Sequence, residues 1–205
     1  MQKRCYNLVL FGGGLDSVCL SEYLRKTQKS FDLVHINYGQ KAWVGENQSA
    51  TYFAEKFNCK LISLSTNAYA NSNNPILNNE MAIEHKDNVL HLRNQILFDI
   101  TTIYAVENLY KNIYVGFHKE PTDSQFYDAM PKFLFAYNKL LEVQKVPVTI
   151  LAPLSNVEQQ SYINYTDKQL LTKSFSCYES NTTTECGQCT HCKHKAKLLE
   201  SRNAN

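Results

Sequence analysis

The stretch Cys5-Tyr-Asn-Leu-Val-Leu-Phe11-Gly-Gly-Gly-Leu-Asp-Ser17 decides the fold. Its apolar run has strand length and halts at three glycines. Helical spacing through Leu20, Tyr23 and Leu24 follows between Val18 and Arg25. A strand, a glycine turn and a helix opening make an anion site. Backbone N–H groups and the positive end of the helix face the ligand, and glycine lets a phosphate come close. A turn that only packs helix on sheet is the plainer alternative, and Asp16-Ser17 directly after the glycines speaks against it.

Outward from this turn, Phe31 to Tyr38 reads as a second strand, Val44 to Phe57 as a helix and Lys60 to Leu64 as a third strand. Residues 66–88, rich in Asn and Ser, predict a long loop over one sheet edge. A helix resumes near Arg93, with Ile96, Leu97, Ile100, Ile103 and Tyr104 on one face. Asn112 to Phe117 is a fourth strand, and a polar stretch runs from His118 to Asp128. Pro131 to Leu141 is helical, with Pro131 suited to the first turn, and Val148 to Leu151 is a fifth strand. Strands alternating with helices predict an α/β fold, a doubly wound, mostly parallel five-stranded sheet covered on both faces. Composition shifts at Ser174 towards Cys, Thr, Lys and His, which predicts one α/β domain over residues 1–173 and a small appended module over 174–205.

Composition narrows the class. The chain has 205 residues, enough for one such domain, and 43% hydrophobic content excludes disorder. Lys and Arg number 21 against 19 Asp and Glu, so no broad footprint for nucleic acid exists and such a partner is not expected. No run of 18 apolar residues is present, and the start lacks the apolar core of a signal peptide. A cytoplasmic protein without membrane contact is expected.

Seven cysteines are present, and four fall near the end, in the pattern Cys177-x8-Cys186-x2-Cys189-x2-Cys192. Cys5, Cys19 and Cys59 lie among apolar neighbours as ordinary thiols. In a reducing compartment the cluster is better explained by metal than by disulfides. Four thiolates favour structural Zn²⁺, with an iron–sulfur cluster as the alternative. His191 and His194 are candidate substitute ligands, expected rather to sit beside the site. Because a short tail lacks a core of its own, the metal supplies much of its folding energy.

Three phosphate-binding patterns compete at the glycine turn. A Walker A loop needs Lys-Ser/Thr after its last glycine, and none is there. A dinucleotide fingerprint needs Gly or Ala at Ser17 and an acidic residue ending the second strand, which instead ends in Asn37-Tyr38. The third is the pyrophosphate loop Ser-Gly-Gly-x-Asp-Ser, which Gly12 to Ser17 matches at five of six places. Further segments occur in order: Asn37-Tyr-Gly-Gln-Lys41, Arg93-Asn94, Val115-Gly116, Leu151-Ala-Pro-Leu154, Ser176-Cys-Tyr178 and the cysteine tail. With them the chain resembles, over nearly its full length, the 7-cyano-7-deazaguanine synthase (QueC-like) family of ATP pyrophosphatases.

The resemblance implies an adenine nucleotide α-hydrolase-like fold and a two-stage reaction on 7-carboxy-7-deazaguanine. ATP, with Mg²⁺, adenylates the carboxylate, ammonia displaces AMP, and a second activation dehydrates the amide to a nitrile. It implies a nucleotide site at Phe11, Gly12, Gly13, Gly14, Leu15, Asp16 and Ser17, with Tyr38, Gln40, Asn94 and Gly116 contributing. Catalytic roles fall to Asp16, Ser17, Arg93 and Lys119. Asp16 either organises the loop or Mg²⁺, or caps the helix; Arg93 and Asn94 contact substrate or phosphate, or form a solvated first turn. Homodimers are common in the family.

Departures from the family pattern cluster on polar positions. Gly12 replaces a serine, Gln159 stands where a lysine is usual, and Met130 follows Tyr127-Asp128-Ala129 where an arginine is usual. Two missing cations would slow activation unless Lys119, Lys132 or Lys41 compensates. Two other readings follow. One is a divergent enzyme that transfers the adenylated deazaguanine to another amine, such as a protein amine, as QueC-like paralogues of anti-phage operons do; the other is a degenerate nucleotide-binding subunit. Direct tRNA modification, known for related pyrophosphate-loop enzymes, needs an RNA-binding region for which the chain leaves little room.

Overall fold

In the computed structural model, the structure describes residues 5–78, 89–119 and 126–203. The chain runs β1 (Asn7–Leu10), α1 (Leu15–Lys26), β2 (Asp32–Asn37), α2 (Trp43–Phe57), β3 (Leu61–Ser65), α3 (Arg93–Glu107) and β4 (Asn112–Val115). It continues through α4 (Pro131–Val143), β5 (Thr149–Leu151), α5 (Gln159–Tyr165), α6 (Lys168–Lys173) and α7 (Thr190–Asn203). The five strands form one sheet in the order β3-β2-β1-β4-β5, and every pairing is parallel.

Both faces of a parallel sheet are buried, which is why its strands are apolar without alternation. Leu8 and Val9 are both fully buried and face opposite layers. Val9 joins Leu20, Leu24, Phe53 and Leu171 beneath α1, α2 and α6. Leu8 joins Val34, Phe98, Tyr137 and Ile150 beneath α3 and α4. The winding reverses beside β1, since β2 and β3 lie to one side and β4 and β5 to the other. Such a switch point opens a crevice at the carboxyl ends of the strands.

Several boundaries differ from the sequence expectation. Helix α1 begins at Leu15, because Gly14 already takes extended geometry and serves as the N-cap. β1 and β4 are shorter than their apolar runs, since Phe11 and Phe117 lie past the last paired residues. Residues 66–78 of the expected loop are turns, and 79–88 lie outside the described residues, as do 120–125 of the polar stretch. Helices α5, α6 and α7 had no clear periodic signal. The tail folds back on the sheet domain: the Phe175 N–H donates to the Gly13 carbonyl at 2.8 Å, and a Cβ on Gly45 would overlap the Phe175 ring. No helix among the described residues is long and apolar enough to cross a membrane.

Candidate functional site

At the carboxyl ends of β1, β2 and β4 lies a cavity of about 260 Å³. The glycine loop forms its floor. Gly13 takes a φ of +79°, and a Cβ there would come within 3.1 Å of the Glu46 carbonyl oxygen. That combination of left-handed backbone and close approach requires glycine. No N–H from Gly12 to Ser17 donates to a carbonyl among the described residues, so the loop presents free donors at the positive end of α1. The Ser17 hydroxyl donates to the Gly14 carbonyl at 2.9 Å and bolts the turn to the helix.

Gly116, just past β4, abuts this first helical turn. A Cβ there would lie 2.9 Å from the Asp16 carbonyl carbon and 3.0 Å from the Ser17 nitrogen. Glycine at this position therefore permits the close packing of α1 on the sheet.

Asp16 does not cap its helix. Its Oδ1 accepts from Gln159 Nε2 at 2.8 Å and from the Tyr162 hydroxyl, and His118 Nδ1 stands 3.6 Å from Oδ2. Burial pushes its carboxyl up, but His118, Tyr162 and Gln159 together hold it below the usual range. Gln159 in turn meets His194 at 2.7 Å through Oε1. Gln159 is thus built into a polar chain from Asp16 to α7.

Arg93 opens α3 behind Leu92, an N-cap residue held at a left-handed φ of 62°. Burial opposes the charge on Arg93, yet Tyr178, Tyr38 and Asp128 around it hold the guanidinium protonated. The Asn94 N–H donates to Asp128 Oδ2 at 3.1 Å and its amide to the Asp128 carbonyl at 3.2 Å, so Asp128 satisfies the start of α3. Gln40 donates to the Ile36 carbonyl and to Glu46, and accepts from the Tyr38 N–H.

Of the expected site residues, Phe11, Gly12, Gly14, Leu15, Asp16, Ser17, Tyr38, Gln40, Arg93, Asn94 and Gly116 all line this cavity, and Gly13 supports it from beneath. Lys119 does not reach it: this exposed side chain pairs with Glu158 at 2.6 Å. The other two lysines offered as compensation are also engaged elsewhere. Lys41 pairs with Glu179 at 2.7 Å, and Lys132 sits over the Tyr127 ring. The cation sequence reasoning missed is Lys195, buried on α7 and held by the Ser174 carbonyl and Glu185. Glu46 and His35 were also missed. His35 lies within a mainly apolar strand and Glu46 among the polar residues of an amphipathic helix, and neither pattern gave a signal.

His35 donates through Nδ1 to the Phe11 carbonyl at 2.8 Å and stacks on Trp43 with centroids 4.6 Å apart. Burial lowers its pKa to about 4, so the ring is neutral and Nε2 is a bare acceptor.

The four tail sulfurs lie within 4.8 Å of one another. Cys186 and Cys192 Sγ are 3.9 Å apart, and Cys189 and Cys177 Sγ are 4.0 Å apart. Metal–sulfur bonds of about 2.3 Å give a tetrahedron with edges of about 3.8 Å, so the cluster fits one four-coordinate ion. Backbone N–H groups of Cys189 and Cys192 point at the preceding sulfurs, at 3.4 Å each, and offset thiolate charge. His191 is beside the cluster and stacks on Tyr178 at 3.8 Å. Through Ser176, Tyr178 and Lys195 the cysteine tail forms one wall of the cavity.

Comparison with known proteins follows the same outline. A 7-cyano-7-deazaguanine synthase from Methanothrix thermoacetophila is 27% identical over 205 residues, covering 92% of this chain and 91% of that protein. The 7-cyano-7-deazaguanine synthase 1 of Sulfurisphaera tokodaii is 25% identical, covering 96% and 93%. A solved structure described as a predicted subunit of tRNA methyltransferase from Methanocaldococcus jannaschii aligns with a TM-score of 0.52 at 20% identity, over 79% of this chain and 74% of that one. That likeness concerns the fold alone. The model of the family described as queuosine biosynthesis protein QueC matches residues 6–203, and the chain belongs to that family.

Proposed function

We propose that the chain is an ATP-dependent carbon–nitrogen ligase that converts 7-carboxy-7-deazaguanine to the 7-cyano compound. The observation that carries this reading is the convergence of the glycine loop, Arg93, Gly116 and Tyr178 on one cavity at the sheet's switch point. The substrate carboxylate attacks the α-phosphorus of ATP and pyrophosphate leaves into the N–H groups of Gly12 to Ser17. Ammonia then displaces AMP, and a second ATP removes the amide oxygen as AMP. Arg93 faces the developing negative charge, and Asp16, kept ionised, orders the loop and offers a carboxylate oxygen to hydrated Mg²⁺. Cys177, Cys186, Cys189 and Cys192 would hold Zn²⁺, which would brace the Tyr178 wall without taking part in the chemistry.

Purified protein given the carboxylate base, ATP, Mg²⁺ and ammonium should release pyrophosphate and yield nitrile by mass spectrometry. Absence of pyrophosphate release overturns the reading. The engagement of Gln159 by Asp16 and His194, in place of a free lysine, favours a second version in which the activated base passes to a protein amine. That version yields pyrophosphate without nitrile, and a mass gain on a partner protein.

A further inference from the structure

One carboxylate in the cavity wall has far fewer donors than it can take. Glu46 is 8% exposed, and among the described residues only Gln40 Nε2 reaches it, at 2.9 Å on Oε2. An ionised carboxylate accepts about four hydrogen bonds. No lysine or arginine pairs with it among the described residues, and the positive charge that acts on it is Arg93, at longer range. Burial accordingly pushes its carboxyl up to about 7. Gln40 has nothing more to give, since its amide also spans the Ile36 carbonyl and the Tyr38 N–H. Two of those bonds anchor Gln40, and the third ties it to Glu46 at the start of α2, against the glycine loop.

A rigid, buried acceptor short of donors selects ligands that bring N–H groups to it and rejects those that do not. Adenine cannot place two N–H donors side by side on one carboxylate, because the N1 beside its amine is itself an acceptor. The ribose hydroxyls can donate, and the base analogues below separate the two occupants. A guanine-type 2-amino-6-oxo ring does fit, with N1–H and the 2-amino group side by side in one plane. We propose that Glu46 accepts both of these hydrogen bonds and is the specificity-determining residue for the deazaguanine base. This rests on the deazaguanine reading given above. His35 Nε2, also in the cavity wall and without a partner among the described residues, suits a single N–H donor such as an exocyclic amine.

Calorimetry on the full-length protein tests the assignment with three ligands: 7-carboxy-7-deazaguanine, its analogue without the 2-amino group, and its N1-methyl derivative. Wild-type protein should bind the parent base at least about tenfold tighter than the analogue without the amine. Glu46→Gln should shrink that ratio to below about threefold, a change that general loosening of the site would not produce. Equal binding of the two bases by wild type, or an unchanged ratio in the variant, overturns the assignment. The N1-methyl base needs no variant: it should fail to bind wild type, and binding as tight as the parent overturns the assignment too. Protein that binds ATP but none of the bases overturns the functional reading, and this inference with it.

Discussion

At the scale of single residues, two glycines, one in the loop after β1 and one packed against it, make opposite demands. A methyl group at Gly116 meets backbone atoms of Asp16 and Ser17 at 2.9–3.0 Å, and backbone cannot step aside as a side chain can. Gly116→Ala should cost about 1–3 kcal/mol of stability and, by displacing the loop, weaken ATP binding at least about tenfold. Thermal melting and calorimetry read the two effects. Gly12 has nothing within 4 Å of its missing Cβ. Gly12→Ser should leave stability within about 0.5 kcal/mol and tighten ATP binding by roughly two- to tenfold, through one restored hydroxyl donor. A weaker ATP affinity in G12S would show that the loop does not face phosphate.

Glu46 gives a pH signature of folding. Its folded pKa, about 7, lies above the ordinary 4.5, so the folded protein holds a proton that the unfolded chain releases between those values. The stability this provides is complete below about 4.5 and is lost as pH rises through 7. Denaturation in urea across this range should show wild type losing on the order of 3 kcal/mol that Glu46→Gln does not lose. Parallel pH profiles for the two proteins would contradict the burial of an unpaired carboxyl. None of this was legible in the sequence, where Glu46 is one polar position on an amphipathic helix. Its isolation follows from long-range packing, through Phe175 over Gly45 and the loop over Glu46 itself.

At the scale of elements, what could be read depended on how local the cause was. The glycine loop, the helix start at Arg93 and the cysteine spacing are local patterns, and the cavity is built from them. Lys119 failed for a related reason: its place after β4 was readable, but its distant partner Glu158 was not. Helices α5 and α6 are short, with 7 and 6 residues, and their amphipathic repeat barely completes two turns. Helix α7 was hidden by lysines and histidines, because it buries Leu198 and Lys195 rather than a clean apolar stripe.

The cysteine tail couples to the loop by contact. Phe175 donates to Gly13, and Cys177 is buried next to Tyr178, which reaches Arg93. Purified protein should carry about one zinc per chain. Removing it with a chelator should release residues 174–190 to proteolysis and weaken ATP binding at the same time. Metal analysis, limited digestion and calorimetry on one sample give the three readouts. Proteolysis of the tail with ATP affinity intact would mean that this wall is dispensable for the nucleotide.

For the whole molecule, the switch-point sheet makes the site a property of the entire fold. Loop, α2, α3, β4 and tail each supply a wall. Trp43, the sole tryptophan, stacks on His35 in this assembly and reports on it directly. If site and sheet are one cooperative unit, Trp43 fluorescence and far-ultraviolet circular dichroism should trace the same melting curve. ATP at about 100 times its dissociation constant adds about 2.7 kcal/mol to the folded state. For a chain of this size each kcal/mol raises the midpoint by roughly 2–4 °C, so both probes should move together by roughly 5–11 °C. A fluorescence transition below the dichroism transition would place α2 and its neighbours in a separately opening unit. ATP would then shift the fluorescence curve more than the dichroism curve, because the nucleotide would bind only the closed form of that unit.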